Sequence, residues 1–177
     1  MPSNIEIKAR VANPSRKREL TENIADAGPT VLQQQDTFFP CANGRLKLRR
    51  LADDRGELIA YRRADVAGTK QSDYLLAHTT APEALRAVLA EALGTAIVVT
   101  KTRLLYLVGQ TRVHLDEVEG LGSFLELEVV LTDGQPPEEG HRIAREIMTA
   151  LEVREADLIE GAYADLLAKR AQASPQG

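Results

Sequence analysis

Apolar and charged residues alternate in short segments along nearly the whole chain. A period of two places successive side chains on opposite faces of a β-strand. We predict strands over residues 4–12, 30–39, 45–51, 57–63, 73–79, 96–108, 110–118 and 123–132. Most neighbouring strands are joined by short turns, such as Ala42-Asn43-Gly44, and short turns imply antiparallel pairing. There is no regular strand–helix–strand alternation, which disfavours a parallel doubly wound sheet.

Helices are predicted between and after the strands. Asn13-Pro14 has the form of an N-cap followed by a proline at the first helical position, and Gly28-Pro29 is expected to stop that helix. Further helices are expected over residues 82–93, from Pro136-Pro137 to about residue 151, and over residues 155–170. The chain of 177 residues is therefore interpreted as one α+β domain over residues 1–170, followed by a disordered tail over residues 171–177.

The composition disfavours several classes of protein. Cys41 is the only cysteine, so an intramolecular disulfide is impossible and a cysteine-based metal site is disfavoured. The N-terminus has no apolar signal core, and no apolar run approaches the roughly 18 residues of a membrane span. A net charge of −4 and an aromatic content of 4% disfavour nucleic-acid binding. We therefore expect a cytoplasmic protein with no membrane and no nucleic acid among its partners.

Charged side chains fall on the same face of nearly every predicted strand. The basic residues on this face are Lys8, Arg10, Arg45, Lys47, Arg49, Arg63, Lys101, Arg103 and Arg112, and the carboxylates are Glu6, Asp116, Glu126 and Glu128. An open antiparallel sheet with one solvated face would account for this pattern. A closed barrel would account for it too, because eight strands are about enough to enclose a narrow interior.

The closed barrel has a chemical consequence. Charges inside a barrel are costly unless they are paired or bind a charged ligand. On this face the basic residues outnumber the carboxylates by about five, which calls for a polyanion. Carboxylate oxygens suit Mg²⁺ or Mn²⁺. A polyanion and a divalent metal in one cavity describe a triphosphate site, and since the chain has no GxxxxGK[ST] loop, it would not be a P-loop site.

Several short motifs occur in order along residues 4–167. They are Asn4-Ile5-Glu6-Ile7-Lys8, Gly44–Arg50 (GRLKLRR), Leu58–Asp65 (LIAYRRAD), Gly68–Tyr74 (GTKQSDY), Lys101–Arg103 (KTR) and Arg112–Glu128 (RVHLDEVEGLGSFLELE). In this order they resemble the motifs of the CYTH superfamily, the triphosphate tunnel metalloenzymes, which include class IV adenylyl cyclases, thiamine triphosphatases and inorganic triphosphatases. The segment Gly68–Tyr74 is similar to a KxSxY stretch of the cyclase-like branch.

The resemblance implies a closed eight-stranded antiparallel barrel with flanking helices, in which basic residues hold a triphosphate and acidic residues hold Mg²⁺ or Mn²⁺. It implies metal ligands at Glu6, Glu126 and Glu128, with Asp116 as a fourth. It implies phosphate contacts from Lys8, Lys47, Arg49, Arg63, Lys101, Arg103 and Arg112, with catalytic roles for Arg63, Lys101 and Arg103. Arg45 is carried over as a further substrate contact, and both Arg45 and Arg10 are expected near a tunnel mouth.

Asn4 departs from the family's ExExK motif, whose first glutamate is missing here. An amide still offers a carbonyl oxygen to a metal, so Asn4 is kept as a candidate ligand, while a two-metal mechanism is in doubt. The alternative is that Asn4 lies just outside the barrel. His114 is expected to form a structural hydrogen bond on the tunnel wall. Tyr163 is expected either to anchor the last helix or to close one tunnel end.

The resemblance leaves three activities open. The first is cyclisation of ATP to cyclic AMP and pyrophosphate, which the KxSxY segment favours, as does Arg63, because arginine is a poor general base. The second is hydrolysis of thiamine triphosphate or inorganic tripolyphosphate. The third is binding of polyphosphate or nucleotides without turnover, which the asparagine at position 4 favours. The expected partner is a small-molecule triphosphate, and a homodimer is left open.

Overall fold

Eight strands pair into one closed antiparallel barrel in the computed structural model, which describes residues 3–95 and 97–173. The strands are β1 (Ser3–Arg10), β2 (Ala27–Phe39), β3 (Arg45–Arg50), β4 (Gly56–Arg63), β5 (Lys70–Thr79), β6 (Ile97–Val108), β7 (Thr111–Val118) and β8 (Gly122–Val130). Their order around the barrel is β1-β5-β4-β3-β2-β6-β7-β8. The predicted eight-stranded antiparallel barrel is confirmed. Residue 96, where the sixth strand was predicted to start, lies outside the described residues.

Helices flank the barrel. In the described part of the chain they are α1 (Pro14–Ile24), α2 (Pro82–Leu93), α3 (Pro137–Ala150) and α4 (Tyr163–Ala173), with a short 3₁₀ helix over Glu155–Asp157. As predicted, α1 begins after Asn13, whose Oδ1 accepts a hydrogen bond from the N–H of Arg16. Among the described residues, no helix has the length and apolar character needed to cross a membrane.

β1 closes the ring between β5 and β8. Glu6 lies opposite Lys70 on β5 and opposite Glu128 on β8. Each strand therefore has two hydrogen-bonded neighbours, and no long sheet edge is left unpaired. The registers fix which side chains meet inside the barrel, because residues two apart on a strand share a face.

The apolar face of the strands points outward, beneath the helices. α3 packs on β1 and β8, where Ile5, Val129 and Ala144 are fully buried. Gly140 permits this close contact, because a Cβ at that position would lie 2.6 Å from a side-chain carbon of Ile5. Helices cover part of this outer face, on which Val31, Leu75 and Val98 remain exposed, and the charged face points into the lumen. This decides between the two arrangements in favour of the barrel.

The segment that precedes α4 differs from the prediction. The sequence predicts a helix over residues 155–170, but only Glu155–Asp157 form a turn of 3₁₀ helix, and α4 begins at Tyr163. The chain between them lies against β1, where the N–H of Ile159 donates to the carbonyl of Lys8. Backbone bonds to a strand compete with bonds along a helix, which explains why the helix starts later.

The predicted start of the tail and the predicted end of α1 also differ from the structure, as do several strand ends. α4 extends to Ala173, so residues 171–173 of the predicted disordered tail are helical, while residues 174–177 lie outside the described residues. Gly28-Pro29 does not stop α1, which ends at Ile24, and both residues lie within β2. Gly28 has a φ of +111° and packs so closely on β6 that a Cβ would lie 2.6 Å from the carbonyl oxygen of Leu105.

The first turn of α4 closes one end of the barrel. Tyr163 is buried and packs with Phe38, Val99, Val118 and Phe124. Its ring centroid lies 5.0 Å from that of Phe124. Tyr163 and its neighbour Ala162 also line the cavity inside the barrel. Tyr163 therefore anchors the last helix and closes a tunnel end, so both interpretations of this residue apply.

Candidate functional site in the barrel lumen

A cavity of about 340 Å³ occupies the lumen, and side chains from all eight strands line it. Its basic lining residues are Lys8, Lys47, Arg49, Arg63, Lys101, Arg103 and Arg112. Its acidic lining residues are Glu6, Asp36, Glu57, Glu126 and Glu128. The surplus of positive charge that the alternation predicts is present, but it is smaller than predicted, because Asp36 and Glu57 line the cavity and Arg10 and Arg45 do not.

Glu6, Glu126 and Glu128 form an acidic cluster on β1 and β8. Glu6 faces Glu128 in the strand register, and Lys8 faces Glu126. Burial raises the pKa of Glu6, and the charges of Glu128 and Glu126 raise it further, against the opposing effect of Arg63. The cluster thus places mutually repelling carboxylates in a buried position, which a bound cation would stabilise.

Asn4 lies in the lumen beside this cluster, not outside the barrel. It is 3% exposed, it lines the cavity, and its Oδ1 has no hydrogen-bond partner among the described residues. A buried carbonyl oxygen without a partner is costly, so it points to a ligand that supplies positive charge. Oxygen donors from carboxylates and an amide suit a hard divalent cation. The residues present at this end of β1 therefore fit the metal that the resemblance implies.

His114 faces the acidic cluster from β7, directly opposite Glu126. Its Nδ1 lies 4.0 Å from Oε2 of Glu126 and 3.9 Å from Oε1 of Glu128, and this nitrogen has no hydrogen-bond partner in the described part of the chain. Burial, followed by the charge of Arg103, lowers the pKa of His114 despite the two glutamates. The structural hydrogen bond predicted for this residue is therefore not formed at Nδ1.

Asp116 does not join the cluster. Its Oδ1 accepts a 2.7 Å hydrogen bond from Nε of Arg103, and its Oδ2 accepts bonds from Nη2 of Arg103 and from the hydroxyl of Tyr163, at 2.7 and 2.8 Å. Burial opposes ionisation of Asp116, but the charges of Arg103 and Lys101 hold its pKa below the usual value. Both carboxylate oxygens are thus engaged behind Arg103, instead of facing the lumen as predicted for a metal ligand.

Arg103 links Asp116 to the acidic cluster. Its Nη2 also donates a 3.0 Å hydrogen bond to Oε2 of Glu126, which Lys8 approaches at 3.1 Å. Lys8 lies 4.0 Å from the centroid of the Tyr163 ring, and Lys101 lies 5.1 Å from it. The three basic side chains are almost fully buried, so their charges act at low dielectric.

Asp36 is a site residue that the sequence analysis missed. It is 2% exposed and binds Nε and Nη2 of Arg49, at 2.8 and 2.9 Å, and Nζ of Lys47 at 2.9 Å. Burial opposes its ionisation, but Arg49 and Lys47 hold its pKa well below the usual value. The alternation of Leu32, Gln34, Asp36 and Phe38 would have indicated it, but the neighbouring glutamines make both faces of β2 polar.

Arg63 lines the lumen beside Glu6, and Lys70 on β5 lies opposite Glu6 in the strand register. Arg63 donates from Nη1 to Oε2 of Glu6 and from Nη2 to the carbonyl of Gly161, both at 3.0 Å. Lys70 is buried, and its Nζ donates to the carbonyl of Val66 at 3.1 Å. Burial, with the charges of Arg63 and Lys8, lowers the pKa of Lys70 to about 8. Lys70 belongs to the Gly68–Tyr74 segment, and no role was predicted for it.

Arg45 and Arg10 are not among the residues that line the cavity. Arg45 binds Asp165 on α4 at 3.0 Å and Asp65 at 2.7 Å, and thereby ties β3 to the closing helix. Arg10 is exposed and stacks over the ring of Phe124, with 5.3 Å between its guanidinium carbon and the ring centroid. Of the predicted substrate contacts, Arg45 is therefore the one that the structure places outside the lumen.

A closed antiparallel barrel with basic and acidic side chains in its lumen is the architecture expected of a triphosphate tunnel. The family profile of the CYTH domain matches residues 3–163, and the chain belongs to this family. A comparison with curated protein sequences gives no match.

Solved structures with the same fold come from archaea, bacteria and plants. PH1012 from Pyrococcus horikoshii is 24% identical, with a TM-score of 0.82 over 92% of this chain and 98% of that chain. A candidate adenylate cyclase from Vibrio parahaemolyticus is 18% identical, with a TM-score of 0.79 over 93% and 97%. HpAC1 from Hippeastrum, a candidate adenylyl cyclase with a dominant triphosphatase activity, is 18% identical, with a TM-score of 0.66 over 98% of both chains. At these identities the likeness is one of fold.

Proposed function

We propose that this protein is a metal-dependent enzyme that binds the triphosphate of a nucleoside or another organic compound in the barrel lumen. The observation that carries the proposal is one buried cavity that joins seven basic side chains to an acidic cluster with the unpartnered Oδ1 of Asn4. Basic side chains suit phosphate oxygens, and carboxylates suit Mg²⁺ or Mn²⁺.

Each group of residues has a proposed role. Lys8, Lys47, Arg49, Arg63, Lys101, Arg103 and Arg112 contact phosphate oxygens. Glu6, Glu126, Glu128 and Asn4 hold Mg²⁺ or Mn²⁺, which when bound offsets negative charge on the phosphates. Arg63, Lys101 and Arg103 stabilise the charge that develops in the transition state, since they are buried and already held in place by Glu6 and Asp116. Asp116 is a positioning residue for Arg103.

The lining favours a substrate with an organic group. Leu32, Ile59, Leu76 and Leu105 share the cavity with the charged side chains. Leu76 is 41% exposed, so part of this apolar surface is reached from solvent. An apolar surface next to the phosphate-binding groups offers contact area to a base or another ring, which inorganic tripolyphosphate would leave unused.

Cyclisation of ATP is our preferred reaction. The ribose 3′-hydroxyl attacks the α-phosphorus, the bond from that phosphorus to the bridging oxygen breaks, pyrophosphate leaves and the hydroxyl proton is released. Arg63, which binds Glu6, cannot take this proton. Hydrolysis is the second candidate, in which water attacks the γ-phosphorus, the bond from that phosphorus to the β–γ bridging oxygen breaks, a diphosphate leaves, and inorganic phosphate and a proton are released. It is favoured by the dominant triphosphatase activity of HpAC1, which shares this fold.

Product analysis tests the proposal. Purified protein is incubated with ATP, thiamine triphosphate or tripolyphosphate, each with Mg²⁺ or Mn²⁺. Cyclic AMP and pyrophosphate would support the cyclase, and a diphosphate with inorganic phosphate would support the triphosphatase. Saturable binding without turnover would indicate a protein that binds triphosphates but is not an enzyme. Neither binding nor turnover with any of the three compounds would refute the proposal.

A pair of neighbouring arginines supplies a matched control. Arg63 points into the lumen, whereas Arg62 is exposed on the opposite face of β4. Arg63→Ala should abolish most turnover, and Arg62→Ala should leave it unchanged. Equal effects would remove the proposed role from Arg63.

We also propose a cytoplasmic location, which the single free and exposed Cys41 fits, because free thiols persist in reducing compartments.

A further inference from the structure

We propose that His114 is a metal ligand, so that the metal site of the lumen combines nitrogen and oxygen donors and selects Mn²⁺ over Mg²⁺. This inference rests on the proposed function, because it concerns the metal of the same lumen. It adds His114 to the predicted metal ligands. It also adds a preference between Mg²⁺ and Mn²⁺, the two metals expected from the sequence.

Three side chains of the lumen lie in a geometry that suits one cation. One ligand atom each from His114, Glu126 and Glu128 lies within 4.8 Å of the others. The separations of Nδ1 from the two carboxylates, 4.0 and 3.9 Å, are too long for hydrogen bonds. They are short enough for one cation to contact all three groups, since metal–ligand bonds to nitrogen and oxygen are about 2.0–2.2 Å long.

The imidazole of His114 is buried, and among the described residues one of its nitrogens is unpaired. His114 is 3% exposed, and its Nδ1 is buried without a hydrogen-bond partner among the described residues. A buried polar atom left unpaired is costly, so a group that contacts it in the working enzyme is expected. The neighbouring carboxylates place negative charge around this nitrogen, which is the environment of a cation site and not of an apolar wall.

The three side chains are held in place by strand pairing and by Arg112. Glu126 and His114 are paired across β7 and β8, and Glu128 is paired with Arg112. Nε of Arg112 lies 2.9 Å from Oε2 of Glu128, while Oε1 of the same carboxylate is the oxygen nearest to His114. Outer groups that fix the orientation of a ligand are a regular part of metal sites.

The donor set determines the metal preference. Mg²⁺ is hard, loses water reluctantly and is usually bound by oxygen. Imidazole binds first-row transition-metal ions readily, whereas a site made only of oxygen donors accepts Mg²⁺ and Mn²⁺ alike. A site in which His114 supplies one donor in place of an oxygen therefore binds Mg²⁺ less tightly than Mn²⁺.

Pulsed electron paramagnetic resonance of the Mn²⁺-loaded protein tests the inference. A directly bound imidazole nitrogen produces a ¹⁴N modulation, which we expect in the wild type and not in His114→Gln. His78→Gln is the matched control, because the side chain of His78 is 79% exposed on β5. Calorimetric titration should show that His114→Gln weakens Mn²⁺ binding by about tenfold or more, with a smaller effect on Mg²⁺.

The outcomes separate this inference from the proposed function. If the wild type binds Mn²⁺ without ¹⁴N modulation, His114 is not a ligand and the inference is overturned, while the metal-dependent enzyme stands. If neither metal binds, with or without tripolyphosphate, both are overturned. Tripolyphosphate binding, measured by calorimetry without metal, tests the proposed phosphate-binding role of the basic side chains by itself. The spectrum of the wild type decides the assignment even if His114→Gln fails to fold.

Discussion

The hydroxyl of Tyr163 on α4 donates a 2.8 Å hydrogen bond to Oδ2 of Asp116 on β7, the carboxylate that holds Arg103 by two further bonds. Burial and the charge of Asp116 raise the pKa of Tyr163, so the phenol stays protonated and remains a donor. The helix that closes the barrel is therefore linked, through one carboxylate, to a proposed catalytic arginine.

Tyr163→Phe should weaken both folding and phosphate binding. A hydrogen bond to a charged group contributes about 1.5–3 kcal/mol, and its loss leaves Asp116 and Arg103 less firmly placed. We expect a lower free energy of unfolding in urea and a several-fold lower affinity for tripolyphosphate in calorimetry. Tyr106→Phe is the control, because the Tyr106 hydroxyl donates to Glu22 on α1, outside the cavity. If the two variants bound tripolyphosphate equally well, Tyr163 would have no link to the site.

Asp36→Asn should destabilise the empty protein and increase its response to a polyanion. The substitution leaves Arg49 and Lys47 buried without their carboxylate, and breaking a buried ion pair costs about 3–5 kcal/mol. A bound triphosphate would replace the lost negative charge. Tripolyphosphate should therefore raise the melting temperature of Asp36→Asn by more than that of the wild type.

The control for Asp36 is Asp53→Asn, which removes the exposed partner of Arg55. Exposed ion pairs contribute little to stability, so this variant should melt like the wild type. Equal ligand-induced shifts in Asp36→Asn and the wild type would mean that Lys47 and Arg49 do not meet the phosphates.

Glu128→Gln and Arg49→Ala should impair different steps, namely metal-dependent turnover and tripolyphosphate binding. Glu128→Gln removes a proposed metal ligand and should reduce metal-dependent turnover more than metal-free binding of tripolyphosphate. Arg49→Ala removes a proposed phosphate contact and should weaken binding itself by roughly 10- to 150-fold, the equivalent of about 1.5–3 kcal/mol. Turnover assays and calorimetry on both variants check this. If turnover and tripolyphosphate binding decreased in the same proportion in both variants, the two roles would be wrongly assigned.

The resemblance of the motifs was needed to predict the barrel, since the alternation of charges left an open sheet possible. The alternation was enough to predict most of the lumen, because a period of two fixes the face of each strand side chain. It placed Glu6, Arg49 and Arg103 correctly on the inner face. It could not show that Asp116 would be engaged by Arg103 and Tyr163, because those contacts depend on how α4 docks on the barrel. Long-range docking leaves no periodic signal in a single sequence.

Lys70 should make folding stability rise with pH above about pH 8. Its pKa is about 8 in the folded protein, whereas an unfolded lysine titrates near 10.4. Between these values the unfolded state binds more protons, so the free energy of unfolding increases with pH. Urea unfolding of Lys70→Met and the wild type from pH 7 to 11 measures the difference. Lys169→Met, at an exposed position of α4, corrects for the loss of one lysine. Parallel curves for Lys70→Met and the wild type would contradict the low pKa.

Asn4→Glu should restore the missing carboxylate and strengthen metal binding. Asn4 and Glu6 share a face of β1, and Glu6 faces Glu128 across the neighbouring strand, so a glutamate at position 4 would join the acidic cluster. A unit charge about 4 Å from a cation contributes several kcal/mol at an effective dielectric near 20, so the Kd for Mg²⁺ should fall by at least about tenfold.

The same substitution should destabilise the metal-free protein. The pKa of Glu6 is already raised by burial, Glu128 and Glu126, and one more carboxylate adds to that repulsion. Asn4→Gln is the matched control, because glutamine has the shape of glutamate without its charge. Mg²⁺ and Mn²⁺ titrations followed by calorimetry and thermal melting compare the three proteins. A lower melting temperature without metal, recovered on adding metal, is expected only for Asn4→Glu. Superimposable metal-binding curves for the two variants would show that position 4 does not contact the metal, whatever the burial of Asn4.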